Sequence, residues 1–372
     1  MNHSLYNSYI LVDMALLRQN VESILHTLSP GTQLVPVLKG NAYGLGIVPI
    51  AKQLTQIPAI RTLAVSHVSE GIQLRNNGIS ADIWVIGGVP GHLIAPAVEN
   101  RLTLTVGRMD LLPKIAEAAR AQNVTAAVQV KIETGLHRTG VKPGLELGEV
   151  IRQLCQESSA ITLAGAFSHF SDSTDKALSC EQHQLFLQGI QQMEAAGIHV
   201  PVKHICGSAS SEAYPEYHMD AVRIGRRLYM DHPTEPVGNI HECVSWRTYI
   251  TNLRHCHAGD ALGYGSKVVL QQDAVIATIG VGYGDGLNSA LADCQAPVLI
   301  GGKRAPLLCC CMDQSMVDVT GIACQIDDVV TIFGYDESGN LLPSQEVALL
   351  IGDQEGCGLT SDLNARVERI YT

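Results

Sequence analysis

Short apolar runs rich in β-branched residues recur along the first two-thirds of the chain. They are Leu34–Leu38, Thr62–Val65, Asp82–Gly87, Leu102–Val106, Ala126–Ile132, Ile161–Phe167, Val200–Ile205 and Ala221–Ile224. Segments of helical spacing separate them. Leu111, Ile115 and Ala118 share one face, as do Leu185, Ile190 and Met193, and Glu70, Leu74 and Gly78 outline a helix stopped by glycine. Strands that alternate with helices pair in parallel through crossover helices. Eight such units predict a (β/α)8 TIM-type barrel, with the active site where the strands end. A doubly wound open sheet has the same alternation and is the competing fold.

Before the first barrel strand, Tyr9–Val12 reads as a short strand, and Asp13 as the cap of a helix carrying Leu16, Leu17 and Ile24. The pattern changes near Asp231-His-Pro-Thr-Glu-Pro-Val-Gly. Strand-like stretches with turn residues follow: Val244–Leu253, Ala274–Ile279, Ala296–Ile300, Met316–Val319 and Asp328–Phe333. The expected organisation is α/β: a barrel over residues 1–240, then a mostly β C-terminal domain over 241–372. The strand near 9–12 is a candidate to pack on the second domain.

Composition narrows the function. The chain has 372 residues, 46% hydrophobic and 16% charged, which suits a large buried core. A net charge of −11 without a Lys/Arg run offers no footprint for nucleic acid. No apolar run is long enough to span a bilayer. The N-terminus lacks the pattern of a signal peptide, so a cytoplasmic protein is expected. Eleven cysteines without Cys-x-x-Cys spacing read as reduced thiols, and the scattered histidines give no metal site.

Chemistry enters at Val37-Leu38-Lys39-Gly40-Asn41-Ala42-Tyr43-Gly44-Leu45-Gly46. A lysine amine ending a buried strand can condense with an aldehyde cofactor if its surroundings favour the neutral form. Taken alone, such a lysine more often snorkels. The loops after strands seven and eight, a common phosphate site in barrels, are Gly207-Ser208 and Gly225-Arg226.

The lysine segment resembles that of the alanine racemase family. The resemblance continues in order through Ala64-Val65-Ser66 with Glu70–Arg75, then Lys131–Gly140, Ser168-His169-Phe170 and Gly263-Tyr264-Gly265. It ends with Gly282-Tyr283-Gly284-Asp285-Gly286 and Cys311-Met312-Asp313-Gln314. It implies a barrel plus a β domain, pyridoxal 5'-phosphate on Lys39, and interconversion of L- and D-alanine by two bases, Lys39 and Tyr264. It also implies further roles. Tyr43, Ser208, Gly225 and Arg226 would contact the phosphate, Arg223 the pyridine nitrogen, and His169 the cofactor ring. Arg138 and the Met312 N–H would take the substrate carboxylate, with Tyr283 at the entrance and Cys311 and Asp313 in support. Lys131 matches a lysine often carbamylated in relatives, where the anionic head holds the arginine; Glu133 replaces a usual Asp. The family further implies a head-to-tail homodimer in which Tyr264 and Met312 reach the other subunit's lysine.

Two departures bear on substrate. Gly207 stands where many relatives have Asn, and Gln354 is aligned with a tyrosine that touches phosphate and restricts the substrate pocket. A glutamine there would suit a hydroxymethyl side chain, so a serine or broader-specificity racemase is the second reading, and a changed phosphate affinity is the equal alternative for this position. A PLP-dependent amino-acid decarboxylase, a non-enzymatic PLP carrier and a phosphate-binding barrel without PLP are the alternatives of other classes. The Arg138, Tyr264 and Met312 segments favour the racemase.

Overall fold

The computed structural model describes residues 5–230, 240–354 and 356–372. The pattern change over 231–238 lies outside them. The chain divides into two compact units. One comprises Ile24–Ala42 and Ile47–Arg226; the other comprises Met1–Ser23, Tyr43–Gly46 and Arg227–Thr372.

The chain enters through β1 (Ser8–Val12) and the helix α1 (Met14–Thr27). Asp13 caps that helix, its carboxylate accepting the Leu16 N–H at 2.8 Å. The first unit is built on β2 (Gln33–Pro36), β3 (Thr62–Val65), β4 (Asp82–Val85), β5 (Thr103–Val106), β6 (Ala126–Lys131), β7 (Ile161–Phe167), β8 (Lys203–His204) and β9 (Ala221–Ile224). Strands β3 to β8 form one parallel sheet in sequence order, and β2 pairs in parallel with β9. The sheet closes at both seams. Leu38 N–H donates to Ala64 O at 2.8 Å, and Arg223 N–H donates to Cys206 O at 3.1 Å. This is the barrel expected from the alternation, and the open-sheet alternative is set aside. Val35, Val37, Ala64, Trp84 and Ala221 pack together in its core.

One expectation for the helices fails. Leu185 is exposed, and the buried face of Lys176–Ala195 runs through Ser179, Gln182, Phe186, Gly189, Ile190 and Met193. Leu185 and Ile190 are five residues apart, well over a third of a turn out of phase at 3.6 residues per turn.

The second unit is mostly antiparallel β. It adds β10 (Val244–Cys256), β11 (Ala261–Leu262), β12 (Val268–Val269), β13 (Ala274–Ile279), β14 (Pro297–Ile300), β15 (Lys303–Cys310), β16 (Ser315–Asp318), β17 (Val329–Tyr335), β18 (Leu341–Leu342) and β19 (Glu368–Tyr371). Among the described residues the main sheet runs β18-β17-β14-β15-β16-β13-β10-β1-β19, with β17 also paired to β10. The N-terminal strand therefore belongs to this unit: Ile10 lies opposite Trp246 in the β1–β10 ladder. Trp246 is fully buried, sits edge-on to Phe333, and donates its indole N–H to Ser8 Oγ at 2.7 Å. No helix of the described residues is long and apolar enough to cross a membrane.

Candidate active site

Lys39 follows the buried Leu38 at the C-terminal end of the first barrel strand and is exposed. The turn after it is left-handed: Gly40, Asn41, Ala42 and Tyr43 have φ of 63°, 57°, 54° and 56°. Consecutive non-glycine residues in this region cost about 1–2 kcal/mol each. Specific bonds hold them there. Ala42 N–H donates to Leu38 O at 2.9 Å, and Asn41 Oδ1 accepts the Ile47 N–H at 2.9 Å. Glu70 accepts the Gly40 N–H at 2.7 Å with one oxygen and the Ser66 and His67 N–H groups with the other. The strand end that presents Lys39 is thereby fixed by a carboxylate from the next barrel unit.

At the ends of β6 to β9 lies a buried cationic cluster. Arg223, 5% exposed, donates to His204 Nδ1 at 2.5 Å, to His169 Nδ1 at 3.1 Å, and to the carbonyls of Ser168 and Ile205, both at 2.9 Å. A guanidinium has only donors, so both imidazole nitrogens facing it must accept. His204 then donates from Nε2 to Gln129 Oε1 at 2.7 Å. Burial, followed by the charges of Arg223, Arg138, Lys131 and Lys39, pushes His169 down to about 3. Burial and Arg223 likewise hold His204 well below the usual imidazole range. Arg223 itself is pushed down to about 10, chiefly by burial, and stays charged at neutral pH. The His204 ring is stacked between Trp84 and Phe167, and Lys131 Nζ and Arg223 Cζ both lie within 6 Å of the Phe167 centroid, at 5.7 and 5.4 Å.

Lys131 is buried and donates to Thr139 Oγ1 at 2.8 Å. Burial first, then Arg138 and Arg223, push its amine down to about 8, with Glu133 opposing. The Glu133 carboxylate is folded onto its own loop, accepting the Gly135 and His137 N–H groups at 2.5 and 3.0 Å. Arg138 lies exposed on the same loop. Below β8 and β9, Gly225 N–H donates to Ser208 Oγ at 3.3 Å, so the two expected phosphate loops meet, with the half-buried Arg226 beside them. A β-carbon on Gly207 would fall 3.0 Å from His169 Cε1, a close fit that an asparagine would have to relieve.

The second unit carries the other expected residues. Tyr264 is 83% exposed, Met312 54% and Tyr283 50%. Gly263 lies against Cys309: a β-carbon there would fall 2.1 Å from its sulfur. Tyr283 N–H donates to Cys311 O at 3.0 Å and Gly284 N–H to Met312 O at 2.8 Å. Side chains on Gly282 or Gly284 would strike the Met312 carbonyl, which is why this loop needs glycine twice. Asp313 is bound by Arg366 at 2.7 Å. Tyr43 packs on Tyr229 with centroids 6.3 Å apart. Gln354 sits on an exposed turn, its carbonyl accepting from Gln345 at 3.0 Å. Three C-terminal residues meet the tail of the lysine segment: the Thr360 carbonyl lies 1.8 Å from where a Gly44 β-carbon would be, Arg369 Nε donates to Gly44 O at 3.0 Å, and the Tyr371 hydroxyl donates to Leu45 O at 2.8 Å.

Sequence reasoning missed His204, Gln129 and Arg366. His204 had one signal, a histidine on an apolar strand immediately before the Gly207-Ser208 loop. Among the described residues no cluster of His, Cys, Asp and Glu is arranged to hold a metal ion.

Known proteins give the same picture over the whole chain. Two family models match, "Alanine racemase, N-terminal domain" over residues 12–233 and "Alanine racemase, C-terminal domain" over 243–371. Curated relatives include alanine racemases of Desulforamulus reducens, 33% identical over 97% of each chain, and of Methanococcus maripaludis, 32% identical over 97% of each. Among solved structures, the alanine racemase of Clostridium difficile superposes with a TM-score of 0.90 at 27% identity, covering 100% of this chain and 97% of that one. The alanine racemase of D-cycloserine-producing Streptomyces lavendulae gives 0.91 at 26%, covering 100% and 98%. With both domains matched in order and the barrel and β unit superposing at full length, the chain belongs to the alanine racemase family.

Proposed function

We propose that this chain is a pyridoxal 5'-phosphate-dependent isomerase that interconverts L- and D-alanine. The observation that carries the reading is the cationic cluster at the barrel strand ends: the buried Lys131 and Arg223 both lie by the Phe167 ring, and Arg223 donates to the His169 and His204 imidazoles. Such an excess of positive charge suits an anionic phosphate and a substrate carboxylate. The residues present fit the cofactor. Lys39 would hold it covalently; Ser208, Gly225, Arg226 and Tyr43 would take its phosphate; His169 would lie against its ring; and Gln354 is a further candidate contact. When bound, pyridoxal 5'-phosphate supplies an aldehyde that condenses with amines and a ring that weakens the substrate Cα–H bond.

Arg223 has four acceptors around it and no proton to take up. A pyridine nitrogen placed against it would have to accept, so Arg223 would hold that end of the cofactor and favour its unprotonated, weaker electron-withdrawing form. Lys39 moves a proton at Cα on one face and the Tyr264 hydroxyl on the other. Arg138 and the Met312 N–H orient the carboxylate, and Tyr283 narrows the approach. The lowered amine of Lys131 is what addition of CO2 requires, which fits a carbamate holding Arg138 where an ammonium would repel it.

The active form is a homodimer in which Tyr264 serves the partner's lysine; the exposure of Tyr264 and Met312 supports this. All eleven cysteines stand as free thiols, which supports the cytoplasm.

The test is covalent. Borohydride reduction of the purified protein should fix pyridoxyl on Lys39, identified by peptide mapping, and remove a near-violet absorbance band. Lys39→Ala should lose the band and lower alanine racemisation by more than about 10^4-fold, since anchor and base go together. A variant that keeps racemising alanine at the parent rate overturns the proposal.

A further inference from the structure

We propose that Arg366 is a positioning residue for the substrate side of the site, clamping the loops of Tyr283 and Met312 into one rigid surface. Its Nε donates to Asp285 Oδ1 at 2.6 Å, and its Nη2 donates to Asp313 Oδ1 at 2.7 Å and to Met312 O at 3.4 Å. One planar fork thus joins the 282–286 loop to the 311–314 loop. The anchor is Asp285, whose side chain is 7% exposed and whose other oxygen accepts the Gly282 N–H at 2.8 Å. The backbone of Asp285 in turn accepts Asn364 N–H at 2.9 Å, which fixes the segment that carries Arg366.

The loops themselves touch backbone to backbone, through Tyr283 N–H to Cys311 O and Gly284 N–H to Met312 O. Two such bonds define a hinge, and Arg366 supplies the third, off-axis tie that stops it. The clamp leaves the Met312 N–H without a hydrogen-bond partner among the described residues, available to an incoming carboxylate. Lysine cannot replace this arginine. A single ammonium head cannot reproduce two donors set at fixed directions toward two carboxylates.

The assignment rests on the reading that Met312 and Tyr283 face substrate, and the experiment separates the two. On the cofactor-loaded enzyme, Arg366→Gln and Arg366→Lys are compared with the parent by amide hydrogen exchange over 282–286 and 311–314, by KM and kcat for alanine, and by near-violet absorbance. Arg366→Gln should speed exchange at Tyr283 and Gly284 and raise KM about tenfold, the scale of one charge-assisted hydrogen bond. Its kcat should move much less and its absorbance stay unchanged. Arg366→Lys should fall between. Asp313→Asn removes one arm and keeps the Asp285 anchor, so it should quicken exchange at Tyr283 and Gly284 less than Arg366→Gln does, with a smaller KM rise; it serves if Arg366→Gln fails to fold. Unchanged exchange in both loops overturns the clamp. Faster exchange with unchanged KM shows that the loops do not meet substrate, which overturns the underlying reading and the assignment with it. A parallel loss of kcat and absorbance would make the role purely structural and also overturn it.

Discussion

In the barrel unit Arg223 is 5% exposed and makes four hydrogen bonds, to two imidazoles and two carbonyls. In the β unit Tyr264 is 83% exposed and its loop rests on Gly263 against Cys309. The first region creates unusual protonation states by removing water from a crowd of cations. The second presents ordinary groups on loops fixed by backbone contacts and one arginine. Burial sets chemistry that must be permanent, such as a neutral imidazole beside a guanidinium. Exposure suits groups that are completed by substrate and, in the proposed dimer, by a second chain. The contrast also says where substitutions should act: on stability and protonation in the barrel, on turnover in the β unit.

The sharpest break of that contrast is Tyr264→Phe. An exposed hydroxyl contributes little to folding, so thermal stability and near-violet absorbance should stay at parent values. Racemisation should fall by about 10^2–10^4-fold, the usual worth of a positioned acid or base. A matching loss of stability would mean that the residue is structural and the contrast false.

Acid stability probes the barrel side. His169 is lowered to about 3 and His204 well below its usual value, so both are neutral in the fold. The unfolded chain takes up these protons from about pH 6.5 downward. Stability is therefore full above that pH and falls as pH drops through the window toward 3, by up to about 1.4 kcal/mol per pH unit for each histidine. Urea midpoints between pH 7 and 4 should show this, and His169→Gln should flatten the slope. A parent-like slope in that variant would show that His169 is not held neutral.

The smallest expected effect concerns Gln354. If its amide reads the substrate side chain, Gln354→Tyr should lower the serine-to-alanine ratio of kcat/KM by only several-fold, one neutral hydrogen bond at about 0.5–1.5 kcal/mol. Its exposed turn, and the contact of Thr360 with the lysine segment, make an unchanged ratio informative: alanine would stand as the sole substrate reading.

The barrel was legible where its strands are compact β-branched runs buried on both faces, as in Thr62–Val65 and Thr103–Val106; β8 is shorter than its apolar run, only Lys203–His204. β15 was not, since Lys303, Arg304, Pro306 and the cysteines dilute its pattern while its neighbours supply the pairing. β19 is half-buried throughout and gives no alternation. In the site, Lys39 stood out through the family resemblance of its segment, because a lone charge ending an apolar strand more often snorkels. Arg366 could not, because its carboxylate partners lie 81 and 53 residues away and only the folded sheet brings them together. His204 was hidden for a different reason. Its partners Gln129 and Arg223 stand on other strands, and a polar trio inside a barrel has no local signature.

Mixing Lys39→Ala and Tyr264→Phe chains asks at once whether both residues are catalytic and whether they meet across chains. In each hybrid one site carries both lesions and the other is intact. A statistical mixture of twofold dimers should therefore regain about a quarter of the parent's alanine racemisation from two nearly inactive proteins. Verified hybrids that remain inactive would contradict the account, showing that the two bases are not Lys39 of one chain and Tyr264 of the other.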